Sequence, residues 1–135
     1  MAELVGLIAS VGSLAELTLS VFTSLYRYYG DVKSGPTASA DLRNELGVML
    51  NVIDHLKESL KSDTPSLQVY CNVLGGAVAE LTWMIKEMEK RVAAEKAKGI
   101  NRLKWPFSKS ENEEFLTRIE RYKGTINLAL NKEQM

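Results

Sequence analysis

The sequence has one cysteine, Cys71, and one histidine, His55, among 135 residues. A lone cysteine excludes an internal disulfide framework, and a lone histidine excludes most histidine-rich metal sites. Three prolines and nine glycines provide too little punctuation for a many-stranded sheet, whose turns recur every ~8–12 residues. Neither sign of charge is in excess. Seventeen Lys and Arg balance seventeen Asp and Glu, so no global field gathers nucleic acid. Missing too are a glycine-rich phosphate loop ending in Lys-Ser or Lys-Thr, a GxSxG elbow, an HExxH helix and a CxxC pair. Asp54 and His55 are adjacent, about 100° apart on a helix and badly placed to share a substrate proton. The inventory argues against an enzyme and implies no cofactor.

What is present suits one domain. Apolar residues make up 45% and charged residues 25%, a globular balance in a chain long enough for one core. The expectation is an all-α, mainly antiparallel bundle of four long helices, with a short connecting helix or turn near residues 100–106. The first helix runs over about 3–29. A loop follows at Gly30, Asp31, Ser34, Gly35 and Pro36. Thr37 or Ser39 can cap a second helix over about 38–62, whose Leu42, Leu46, Met49, Ile53, Leu56 and Leu60 recur at alternating spacings of four and three. Thr64-Pro65 reads as a cap and first helical residue, opening a third helix over about 65–97. Gly75-Gly76 allows either a bend or a close helix crossing. Cys71 reads as a small buried apolar residue. Gly99 stops this helix, and Ser110 with Glu113 has capping-box spacing for a last helix over about 111–131. There Phe115, Ile119, Tyr122, Ile126 and Ala129 repeat the alternating spacing.

The first helix is unusual. From Leu4 to Tyr26 it carries a single formal charge, Glu16, and such a stretch reaches ~34 Å, the thickness of a bilayer core. The opening Met1-Ala2-Glu3 lacks the positive charge of a secretory signal. A permanent span is disfavoured by Glu16 and by several Ser and Thr. The candidate membrane-facing residues are Leu4, Val5, Leu7, Ile8, Val11, Leu14, Leu17, Val21, Phe22 and Leu25. Ala2, Gly6, Ser10 and Ser13, spaced four, four and three, form a strip of small residues that would let helix backbones approach closely. Two readings stand together: the central helix of a soluble bundle, and a conditional membrane helix whose polarity is tuned by Glu16. A second candidate is the run from Lys96 to Lys109, in which Lys96, Lys98, Arg102, Lys104 and Lys109 surround Trp105 and Phe107 without an acid. It suits an anionic headgroup surface, or else the two aromatics plug the end of the bundle and the cations solvate a loop. Glu111, Glu113 and Glu114 follow directly and oppose a phosphate track, so nucleic acid is not expected.

Two segments carry a resemblance. The small-residue-bearing opening from Met1 to Val32, and the stretch Arg102 to Phe107 (Arg-Leu-Lys-Trp-Pro-Phe) followed by Ile119 to Lys123 and Leu128 to Leu130, resemble the HeLo-like N-terminal domain of fungal NOD-like receptors and related cell-death proteins. The middle, residues 38 to 95, matches in helical pattern alone. The resemblance implies a bundle related to the HET-S HeLo domain and similar to the four-helix executioner domain of the mixed lineage kinase domain-like pseudokinase. It further implies a role in programmed cell death, heterokaryon incompatibility or innate immunity through oligomerisation, membrane targeting and pore formation. The implied partners are a phospholipid membrane, engaged conditionally, further copies of the chain, and C-terminal sensor or NOD-like receptor modules of a longer protein. The implied location is cytoplasmic at rest and plasma-membrane on activation. Family members often carry a fuller glycine zipper; here Ala2, Gly6 and Ser10 are in register and Gly12 is not. The alternative from a different class is a soluble signalling or oligomerisation module that binds partner helices without entering lipid.

Overall fold

The computed structural model describes the backbone of residues 2–29, 37–61, 71–99 and 105–133, with side chains for 5–27, 40–61, 71–99 and 105–130. Four helices account for almost all of it: α1 (Ala2–Tyr29), α2 (Thr37–Lys61), α3 (Cys71–Lys96) and α4 (Lys109–Glu133). There is no strand among the described residues. The expected all-α bundle is borne out, and each helix expected from the spacing is present. The caps expected at Thr37, Ser39 and Thr64-Pro65, the loop at Gly30–Pro36 and the connection at 100–104 lie outside the described side chains.

The same seven-residue rhythm builds all four helices. On α1 the buried residues Leu7, Val11, Leu14, Thr18, Val21 and Leu25 recur at four, three, four, three and four. Leu42, Leu46, Met49, Ile53, Leu56 and Leu60 do so on α2, and Leu74, Val78, Leu81, Ile85, Met88 and Val92 on α3, while on α4 Asn112, the half-buried Phe115, Ile119, Tyr122, Ile126 and Ala129 alternate threes and fours. This repeat keeps one seam facing the bundle axis, the geometry in which helices cross at ~20° with side chains interlocked. Each fully buried Leu or Ile contributes about 1.5–3 kcal/mol of apolar transfer.

The helices form a ring in the order α1, α2, α4, α3, with α1 packed on α2 and α3, and α4 on the other side of both. Consecutive helices run antiparallel. Phe22 lies at Gly47 and Tyr26 at Asn44, while Glu80 meets Arg121 and Arg91 meets Glu111. The ring order has a further result: α1 and α3 are adjacent and parallel, because residues 7–13 face 71–82 and residues 20–24 face 89–96. It follows that α2 and α4 are parallel as well. α3 is helical straight through Gly75-Gly76.

The carboxy-terminal half of α1 is clasped. A Cβ added at Gly47 would sit 3.0 Å from the Phe22 ring, so this glycine is what lets the ring reach the α2 backbone. Phe22 leans on Tyr26, whose hydroxyl donates to Asn44 Oδ1 at 3.0 Å while Arg43 lies over its ring. One position of the α1 seam is out of character. Thr18 is fully buried and its Oγ1 has no hydrogen-bond partner among the described residues, whereas the hydroxyls of Thr82, Thr117 and Thr125 each donate to the carbonyl one turn earlier at 2.7–3.1 Å. An unpaired buried hydroxyl costs about 1–3 kcal/mol.

The capping box at the start of α4 falls two residues before the expected pair. Ser108 N–H donates to Glu111 Oε1 at 2.9 Å and Glu111 N–H to Ser108 Oγ at 3.1 Å. Ser110 and Glu113 have the same spacing, but the helix already begins at Lys109, which places Ser110 inside its first turn. Tertiary contact decides between the two boxes: Glu111 is also held by Arg91 of α3.

Candidate functional site

The membrane-facing candidates on α1 divide by exposure. Leu7, Val11, Leu14, Val21 and Leu25 are buried; Ile8, Leu17 and Phe22 are half-buried against the core. Val5 is 67% exposed, and so, at 50%, is Leu19, which the sequence reading did not single out. Glu16 is exposed on the outer side. The side chains of Leu4 and Ala2 lie outside the described residues. Val5–Arg27, 23 residues at a mean hydropathy of 1.7, is long and apolar enough to cross a membrane, and one third of its most apolar window is buried.

The strip of small residues does not pack tightly. Ser10 and Ser13 line an open groove of about 660 Å³ whose opposite wall is Gly75, Gly76, Ala79 and Thr82 of α3. Farther along the seam Ser20 and Ser24 line a second groove of about 160 Å³ against Ala93 and Lys96. Gly6 is exposed, and a Cβ at Gly6 or Gly12 would meet nothing within 4 Å. In this arrangement Ser10 and Ser13 face α3 across a gap, so close packing of the bundle is not what they serve.

The cationic run breaks up at the end of the bundle. Phe107 is buried, its ring set edge-on to Trp105 and Phe115 at 5.7 and 5.1 Å. The half-buried Trp105 donates its indole N–H to Asn112 Oδ1 at 2.9 Å, so both aromatics close the bundle here. Lys96 and Lys98 are exposed, Lys98 pairing with Glu95 at 2.7 Å; Arg102 and Lys104 lie outside the described residues.

Arg91 ties this plug to α3. Its guanidinium holds Glu111, donates to the Pro106 carbonyl at 2.7 Å and lies over the Phe107 ring. The Arg91 hydrogen bond, backed by the Ser108 N–H, lowers the Glu111 carboxyl from 4.5 to about 2. A lowered carboxylate stabilises the fold above its unfolded value and loses that effect as pH falls towards the folded one. The midpoint of thermal unfolding should therefore drop between about pH 4.5 and pH 2. Glu111→Gln should lower it at neutral pH and flatten the drop; an unaltered acid limb in the variant would show that the pair contributes nothing.

Among the described residues no group of three His, Cys, Asp or Glu could hold a metal. Asp54 and His55 are both exposed, and Cys71 is buried at the groove wall.

The family model of the pigment biosynthesis cluster protein PigL N-terminal region matches residues 2–135. The chain belongs to this family. The match extends over all four helices, so the bundle as a whole is the PigL N-terminal unit, with its α1 span and its aromatic plug both inside it. No curated protein and no solved structure matches the chain.

Proposed function

We propose that this PigL N-terminal domain is a HeLo-like membrane-targeting module that acts in fungal cell death through α1. At rest α1 belongs to a cytoplasmic bundle. On oligomerisation, driven by C-terminal sensor or receptor modules of a longer protein, it leaves the ring and enters the plasma membrane, where copies associate and permeabilise the bilayer. The observation that carries this reading is the apolar Val5–Arg27 span, together with a small-residue strip that the resting bundle leaves unfilled. The family description is of an N-terminal region, which supports a module working ahead of others.

Energy makes such a device conditional. Withdrawing the buried seam of α1 into water costs about 7.5–15 kcal/mol for five large side chains, so exit must be coupled to lipid entry or self-association. A second reading, a soluble module that binds partner helices, draws on the same seam, since Leu7, Val11, Leu14, Val21 and Leu25 are buried at rest. Vesicles containing anionic lipid separate the two. Dye release and flotation of the chain with the vesicles are expected; sealed vesicles with all the protein left in the soluble fraction would overturn the membrane reading in favour of the soluble one.

A further inference from the structure

The face of α1 turned away from its seam is polar, and Glu16 is at its centre. Glu16 stands eleven residues from either end of the Val5–Arg27 span and is the one charged residue between those ends. At ~100° per residue, Ala9, Gly12, Ser20, Thr23 and Arg27 lie within ~40° of it around the helix, with Val5 the one large apolar side chain in that sector. All are exposed in the bundle except the half-buried Gly12. Leu7, Val11, Leu14, Val21 and Leu25, all buried, lie ~140–180° away. The two flanks differ in size. Gly6, Ser10 and Ser13 are ~60–120° round from Glu16 on one side, and Leu19, Ile8 and Phe22 by the same angles on the other.

This division decides what changes when α1 moves from protein to lipid. The seam exchanges a packed core for acyl chains and is apolar in both settings. A carboxylate facing hydrocarbon at mid-span is strongly disfavoured, whereas one facing a water-filled cavity is not. Glu16 is wet in the resting bundle, and in the bilayer it stays wet only where its sector borders water. Copies of α1 meet that condition by setting the small flank of each against the large flank of the next. Such a contact joins two different patches, so repeating it closes a ring, and the small residues admit close approach of the backbones. The seam then faces lipid all round, and the Glu16 sector faces inwards.

We infer that Glu16 of each inserted copy joins a ring of carboxylates around an aqueous lumen, lined also by Ser20 and Thr23, and that this pore passes inorganic cations in preference to anions. Rings of acidic side chains select cations. Arg27 shares the sector but lies ~17 Å farther along the axis, at the end of the span, beyond the ~10 Å over which charge acts in 0.1 M salt. The inference rests on the membrane reading above and adds to it the lumen face and the class of ion that permeates.

The full chain in planar bilayers containing anionic lipid, with unequal potassium chloride on the two sides, tests it. The reversal potential should show potassium passing about fivefold or more over chloride. Glu16→Gln keeps the shape and removes the charge, so conductance should persist while the ratio falls to about one. Its melting midpoint should match the parent's, because residue 16 is exposed. A membrane-impermeant thiol reagent should reduce the conductance of Ser20→Cys and leave that of Val21→Cys and of the parent, with its single Cys71, unchanged. A parent pore indifferent to the sign of the ion, a Glu16→Gln pore as selective as the parent, a Ser20→Cys pore that ignores the reagent, or vesicle leakage without steady ionic conductance would each overturn the inference and leave the membrane reading standing. Sealed vesicles together with silent bilayers would overturn both.

Discussion

Leu19→Asp is expected to leave the bundle folded and to cut vesicle leakage about a hundredfold, since exchanging Leu for Asp near the middle of a span costs ~3 kcal/mol in lipid. Leu19 is half exposed in the bundle, and surface exchanges of this kind move stability by only about 0.5 kcal/mol. It lies three residues from Glu16, near the centre of the Val5–Arg27 span. The substitution therefore separates the two environments of α1, touching the bilayer and sparing the resting core. Dye release measured beside the urea midpoint decides the matter. A folded variant that leaks like the parent would mean that α1 does not cross the membrane.

Leu14→Ala should act in the opposite sense. Leu14 is fully buried at the middle of the α1 seam, and truncating such a leucine costs about 2–5 kcal/mol through lost transfer energy and the cavity left behind. Much of a small domain's stability is at stake. In lipid the same exchange loses only part of the transfer term and leaves no cavity. The balance thus shifts towards the membrane, and leakage should begin at a lower protein concentration even as the urea midpoint falls. If the destabilised variant leaked less than the parent, the resting core would not be what restrains α1.

The helices were legible because one rule governs them. Leu42 to Leu60, read as a seam from spacing alone, are buried to the last member, and the plug formed by Trp105 and Phe107 was among the alternatives. The ring order was not legible: the repeat says that each helix has a buried face but not which neighbour fills it. For the same reason the capping box was displaced. Ser108–Glu111 and Ser110–Glu113 are equivalent as local patterns, and the choice is made by Arg91, twenty residues earlier in the chain. Gly75-Gly76, which allows a bend or a close crossing, lies inside a continuous α3, flanked by Leu74, Ala77 and Val78 in the core. Thr18 escaped notice because its burial with an unpaired hydroxyl is a property of packing.

The two ends of α1 are fastened unequally. Phe22 and Tyr26 hold one end to α2 at Gly47 and Asn44, while the other borders the wide groove against α3. Departure from the ring should then proceed as peeling from the amino end, with the aromatic clasp as the pivot that lets go last. A gradient of amide exchange, fastest near Val5 and slowest near Leu25, is its signature; uniform exchange along the helix would mean that it detaches in one piece.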